Sequence, residues 1–349
     1  MERREFVKSI SSIGVFALAQ NYYNSDIQSV SDSTLIKPKC LKGGDKVAIV
    51  APATNVCDSD DIRKAKEVCN HYKLQSVFSY LLFDGSGYRT KSRKERANEL
   101  NKFFEDKNIN GIFCIRGGYG SPEILDLLDY ELIRNNPKVF TGYSDITAIH
   151  IAIQKYSRLV TFHSPVLLSS FTDFTASSFE KLIFNNEPIG VLQNPAQKSG
   201  IREQFPIRTI KSGTAKGKLT GGNLSIISSL MGTQFEIDTK DKILFLEDVA
   251  EEPFRIDRML NQLRLAGKFE QAKGIIFGFC SDCTIKTSPS TWDLQLGEVL
   301  DKYFSSLPIP SFYGLMFGHT NEQITIPYSI DAIIDANAGT LSISDSATI

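Results

Sequence analysis

Short apolar runs that alternate with helical patterns constrain this chain more than any other feature of it. Val47-Ala48-Ile49-Val50 ends at Ala51-Pro52-Ala53 and precedes a helical pattern over residues 59–72. A charged helical pattern over 91–104 leads to Gly111-Ile112-Phe113-Cys114-Ile115, which runs into a glycine turn. Lys138-Val139-Phe140-Thr141-Gly142 passes through Ser144 into an apolar helix over 146–156. A strand that is apolar at every position is buried on both faces, and strands alternating with helices form a parallel sheet.

The chain has 349 residues, 42% of them hydrophobic, more than one core usually accommodates, so two domains are expected. Further strands are predicted at 217–219, 243–246, 274–279 and 332–335, and helices near 224–231 and 255–266. Between 167 and 210 the periodicity fades around Pro188, Pro195 and Pro206, which marks a crossing between domains. The expected fold class is therefore α/β. Residues 41–166 form a flavodoxin-like parallel sheet with helices on both faces, and residues 211–345 form a mixed α/β domain with a smaller sheet.

Arg3-Arg4-Glu5-Phe6-Val7-Lys8 precedes a short apolar run that ends in Ala17-Leu18-Ala19, the layout of a twin-arginine export signal over 1–19. A polar stretch rich in Ser, Asn and Asp follows, read as a tether over 20–40. Signal cleavage would leave no stable membrane anchor, because that run is too short to span a bilayer. The product would be periplasmic or secreted. The formal net charge of −1 and the lack of a long basic run argue against a nucleic-acid partner. The six cysteines are scattered; Cys280 and Cys283 form a single Cys-x-x-Cys read as two incidental thiols, with no metal site.

Gly142-Tyr143-Ser144-Asp145 sits at a strand-to-helix turn, where a serine is either a nucleophile on a sharp elbow or a helix cap. Arg116-Gly117-Gly118-Tyr119-Gly120 follows another strand, and its glycines allow backbone amides close to a reacting oxyanion. The glycine spacing fits neither a P-loop nor a dinucleotide site. A serine nucleophile needs a base, and the chain has four histidines: His71, His150, His163 and His319. His71 and His150 lie in helical patterns, whereas His163 and His319 remain rivals. Glu247 follows an apolar run as an orienting acid should, with Asp248, Glu251 and Glu252 as neighbours that spacing does not separate. Thr220-Gly221-Gly222-Asn223 reads either as substrate contact or as turn-making with Asn223 as an N-cap.

Taken together, five ordered segments resemble the L,D-carboxypeptidase family of serine peptidases, which also contains the microcin-immunity peptidases. They are Arg116–Gly120, Gly142–Asp145, Leu219–Leu224, Leu246–Val249 through Ile256–Leu260, and Phe317–Thr320, within a match from roughly Lys46 to Ser342. The resemblance implies Ser144 as nucleophile, His319 as base and Glu247 as the acid that orients it. It places Asp145 with Gly117 or Gly118 in the oxyanion hole; Tyr119, Gly221, Gly222 and Asn223 are further candidates for substrate contact. It further implies a murein-type peptide substrate, no cofactor, and a homodimer. A peptidase acting on a peptide antibiotic and an inactive muropeptide-binding protein are the alternatives. Pro122-Glu123 and Pro327-Tyr328-Ser329 depart from the family pattern, in charge at the first and in glycine content at the second.

Overall fold

The computed structural model describes residues 34–56, 58–83, 91–196, 201, 204–286 and 293–349; the signal segment 1–19 and the tether as far as residue 33 lie outside these residues. Strands β1 (Lys46–Val50), β2 (Gln75–Phe78), β3 (Gly111–Cys114), β4 (Val139–Gly142) and β5 (Phe162–His163) are parallel neighbours in the order 2-1-3-4-5. That is the flavodoxin-like order, in which ligands meet the carboxyl ends of the strands.

Side chains alternate across each strand, so the two faces of β1 cover different helices. Ala48 and Val50 pack with Ala97, Leu100 and Phe104 of helix Arg93–Glu105 and with Ile149 and Ile153 of helix Thr147–Tyr156. Val47 and Ile49 pack with Ile62, Ala65 and Cys69 of helix Ser59–His71 and with Phe179 and Leu182 of helix Asp173–Ile183. Local chemistry starts these helices: Ser92 and Glu95 form a capping box, and Asp58 and Thr172 accept from first-turn amides. The stretch read as a crossing thus carries a capped helix of its own.

The second half adds β6 (Gly190–Leu192), β7 (Arg208–Lys211), β8 (Thr214–Asn223), β9 (Lys242–Glu247), β10 (Gly274–Gly278), β11 (Ser311–Leu315), β12 (Ile326–Pro327), β13 (Asp331–Asp335) and β14 (Thr340–Ile343). Eight of them form one sheet in the order 6-14-13-8-9-10-11-7, parallel from β8 to β11 and antiparallel outside. The second sheet is therefore larger than the six-stranded first one, not smaller as expected. The flanking strands have alternating or mostly exposed patterns, such as half-buried and exposed in turn along β7, and short strands of that kind leave no continuous apolar run in the sequence. β12 leaves the second half altogether and pairs antiparallel with β5.

The two sheets meet through an aromatic seam. Phe245 of β9 stands edge-on to His163 of β5 and to Phe317, and Tyr328 stacks on His150. Aromatic pairs of this kind carry large buried area in defined orientations, so the seam holds the carboxyl ends of β4 and β9 in fixed register.

The cysteine pair read as incidental is bonded: Cys280 and Cys283 form a disulfide just after β10. Their Cα atoms are 5.6 Å apart, within the range a bridge requires, which a three-residue separation in sequence does not by itself reveal. No helix among the described residues is long and apolar enough to cross a membrane.

Candidate active site

β4 ends at Gly142, and the chain turns sharply into helix Thr147–Tyr156 through a single turn at Ser144–Ile146. Ser144 occupies the turn with φ of 64°, in the left-handed region that L-residues rarely adopt. Strain of this kind is found where a nucleophile is pushed out of a sheet. The Ser144 side chain is not the cap of the helix that follows, because that helix has no side-chain cap.

Residues from the far end of the chain meet it. His319 Nε2 lies 3.1 Å from Ser144 Oγ, and His319 Nδ1 lies 2.8 Å from Glu247 Oε2. Glu247 is the last residue of β9 and is fully buried, whereas the imidazole keeps partial access to solvent. Burial alone would push the His319 pKa down, but the charge of Glu247 and its hydrogen bond outweigh this and hold it above the ordinary value. Burial likewise opposes ionisation of Glu247, and the imidazole overcomes it to hold the carboxylate below its usual range. Tyr143 stands edge-on to the imidazole with ring centres 4.8 Å apart.

The glycine loop after β3 is pressed against Ser144. A Cβ built on Gly117 would lie 2.9 Å from Ser144 Cβ, so only glycine lets the loop backbone come this close. Gly118, with φ of 117°, packs on Thr54, whose hydroxyl accepts the amide of Tyr119 at 2.9 Å. The Asp145 carboxylate accepts the amide of Ser121 at 2.7 Å and so anchors the same loop, while burial raises its pKa. Tyr119 is 54% exposed.

Gly221, Gly222 and Asn223 are tightly packed, and Asn223 is the register partner of Glu247 across β8 and β9. A Cβ on Gly221 would collide with the carbonyl of Phe245 at 1.8 Å, and one on Gly222 with the Thr147 side chain at 2.5 Å. Asn223 is buried, caps helix Leu224–Ser229 and donates to Asp248.

The rival residues separate in space. His163 is buried among Tyr143, Phe245 and Phe317, its ring nitrogens have no hydrogen-bond partner among the described residues, and burial depresses its pKa to about 4. His150 is bonded to Gly142 O and Thr161 Oγ1. Asp248 faces away from the imidazole toward Ser225 and Asn223; burial and the Glu247 charge raise its pKa to about 6. Glu251 pairs with Arg255, and Glu252 accepts the amide of Lys286.

Sequence reasoning missed Arg96 and Thr54. The buried Arg96 guanidinium donates to Pro52 O at 2.5 Å and Gly120 O at 3.0 Å and pairs with Glu123 at 2.8 Å. Glu123, the departure in charge, thus faces an internal cation that clamps the glycine loop. The available signal for Arg96 was its place four residues before Leu100, on the apolar face of its helix. At the second departure, Ser329 has φ of 68° and accepts from Gln154 at 3.0 Å.

A hydroxyl, an imidazole and a carboxylate in hydrogen-bonded series form the constellation that recurs in nucleophilic hydrolases on unrelated folds. Here the family is defined as well. Residues 47–164 match the LD-carboxypeptidase N-terminal domain and residues 216–334 the LD-carboxypeptidase C-terminal domain, so the chain belongs to the LD-carboxypeptidase family. It is 36% identical over 305 residues to the "probable murein peptide carboxypeptidase" of Bacillus subtilis, covering 86% of this chain and 91% of that one. It is 30% identical over 284 residues to the microcin C7 self-immunity protein MccF of Escherichia coli, covering 74% and 80%. Among solved structures, the muramoyltetrapeptide carboxypeptidase from Oxalobacter formigenes superposes with a TM-score of 0.73 at 27% identity, over 86% of this chain and 99% of that one. The MccF-like protein from Bacillus anthracis superposes with a TM-score of 0.78 at 28% identity, over 89% and 99%.

Proposed function

We propose that this chain is an exported serine-type L,D-carboxypeptidase that removes the terminal D-alanine of peptidoglycan-derived tetrapeptides. The observation that carries the reading is the continuous Ser144–His319–Glu247 hydrogen-bond series at the carboxyl ends of β4 and β9. Ser144 Oγ attacks the scissile carbonyl while His319 Nε2 takes its proton, and Glu247 holds the imidazole in the tautomer that leaves Nε2 free to accept. Amides of Asp145 and of Gly117 or Gly118 receive the oxyanion, and His319 returns the proton to the departing D-residue. Water then releases the acyl-enzyme by the same base.

The murein substrate is supported by the names of the relatives from Bacillus subtilis and Oxalobacter formigenes. Export rests on the ordered charged, apolar and small-residue regions at the start of the sequence, and the homodimer on family resemblance. A peptidase directed at a peptide or peptide-nucleotide antibiotic is the second reading, supported by the similarity to MccF.

The test is release of free D-alanine from L-Ala-γ-D-Glu-meso-diaminopimelate-D-Ala. Wild type is expected to release it, and Ser144→Ala and His319→Ala each to lose about a thousandfold or more. Cleavage of an aminoacyl-nucleotide amide without release of D-alanine would favour the second reading. Cleavage of neither, with Ser144 inert to a fluorophosphonate, would overturn both.

A further inference from the structure

We propose that Ser281, carried on the Cys280–Cys283 disulfide loop, is a positioning residue for His319, and that opening the disulfide slows chemistry at Ser144. The inference rests on the triad reading above and extends it.

The disulfide loop touches His319 and the segment just past Glu247. Ser281 Oγ donates to the carbonyl oxygen of His319 at 2.6 Å. The Ser281 carbonyl accepts the amide of Ala250 at 2.9 Å, and Val249 and Ser281 form a parallel bridge, which ties the loop to the chain just past Glu247. On its other side, the amide of His319 lies 3.4 Å from Glu247 Oε2. The His319 main chain is thus held at its amide by the orienting acid and at its carbonyl by Ser281. Gly318, immediately before it, has φ of 78° and no side chain to resist rotation. Imidazole aim across 3.1 Å to Ser144 Oγ therefore depends on these two tethers, and misplacement of a catalytic group by about 1 Å can cost about a hundredfold in rate.

The covalent link keeps Ser281 in reach. Cys280 and Cys283 are both buried, and the amide of Cys280 lies 3.4 Å from the Tyr313 hydroxyl. Asp282 between them has φ of 56°, a conformation a free tetrapeptide would leave readily. A dithiol such as dithiothreitol breaks the S–S bond by exchange: the two sulfurs gain two electrons and two protons, and the dithiol closes to its cyclic disulfide. The loop then keeps its main-chain tie at Ala250 but loses the covalent one, and Ser281 Oγ is no longer fixed on the His319 carbonyl.

The experiment follows the rate at which a fluorophosphonate modifies Ser144 in the full chain, a reaction that forms an Oγ–P bond, expels fluoride and passes the proton to His319. It needs no peptide substrate. Oxidised and dithiothreitol-treated wild type are compared with Ser281→Ala, Ser281→Thr, a Cys280→Ala/Cys283→Ala double variant and His319→Ala. Oxidised Ser281→Ala and reduced wild type are expected to react about fivefold more slowly than oxidised wild type, the loss of one ordinary hydrogen bond. Ser281→Thr, which keeps the hydroxyl, restores the rate, and the double variant is slow with or without dithiothreitol. On peptide, the same variants lower kcat and leave KM unchanged. The inference is overturned if His319→Ala is slow while Ser281→Ala and reduced wild type react as fast as oxidised wild type. It falls together with the triad reading if His319→Ala itself reacts at the wild-type rate. Should Ser281→Ala fail to fold, the reduction of wild type and the double variant decide the matter alone.

Discussion

Gly318 and Glu247 compete for one space: a Cβ built on Gly318 would stand 2.4 Å from Glu247 Oε2, and Gly318 holds φ of 78°. The acid reaches the imidazole only because the residue before His319 has no side chain. Gly318→Ala is therefore expected to displace the carboxylate, with about 1–3 kcal/mol of backbone strain and at least a tenfold loss of kcat. Thermal unfolding and steady-state kinetics check this; wild-type kcat in the variant would sink the argument.

Activity is expected to fall as pH drops through the His319 pKa, which Glu247 holds above the ordinary value of about 6.5 despite burial. Protonated His319 cannot accept from Ser144, so the acid limb of kcat/KM lies on the alkaline side of that value. Glu247→Gln removes the raising charge and leaves the burial that lowers the pKa, so the limb moves to lower pH. The plateau rate falls by about a hundredfold to ten-thousandfold as the tautomer is lost. A pH–rate profile that keeps its midpoint in the variant speaks against the assignment of Glu247.

Arg96→Met is expected to loosen the glycine loop. Arg96 is 2% exposed, and loss of its guanidinium removes the donor to Pro52 O, takes one of two donors from Gly120 O and leaves Glu123 without this partner. Because Glu123 reaches solvent, the cost is put at about 2–3 kcal/mol, below that of a fully buried pair. Urea unfolding measures the stability, and kcat is expected to fall more than KM rises. Glu123→Gln, which keeps a neutral acceptor for Arg96, is expected to be milder.

Acid is expected to destabilise the fold through its inner histidines. Burial depresses His150 to about 3 and His163 to about 4, so below about pH 6.5 the unfolded chain binds protons that the folded one refuses. Stability therefore falls as pH falls, by up to about 1.4 kcal/mol per pH unit for each group until its folded pKa is reached. His163→Leu, which breaks no side-chain hydrogen bond among the described residues, is expected to lose less stability than wild type between pH 7 and pH 4.5 by urea midpoint. Equal slopes in the two proteins would contradict the buried, neutral His163.

The sequence by itself determined the frame and the setting of Ser144. Continuous apolar runs identify strands buried on both faces, and a serine or glycine turn directly after such a run lies at the carboxyl end of a parallel sheet, because both are local consequences of backbone geometry. The five ordered motifs then pointed to a family. Taken alone, the residues left His163 against His319, and Glu247 against Asp248, Glu251 and Glu252. The glycine and asparagine run at 220–223 likewise stayed open between substrate contact and turn-making. The family resemblance favoured His319 and Glu247, but only the tertiary structure brings them to Ser144, because Ser144 and His319 are 175 residues apart and His319 and Glu247 are 72 apart, and no spacing rule reaches that far. The same limit hid the outer strands of the second sheet, the Arg96 clamp and the Cys280–Cys283 bond, each of which depends on which surfaces packing brings together.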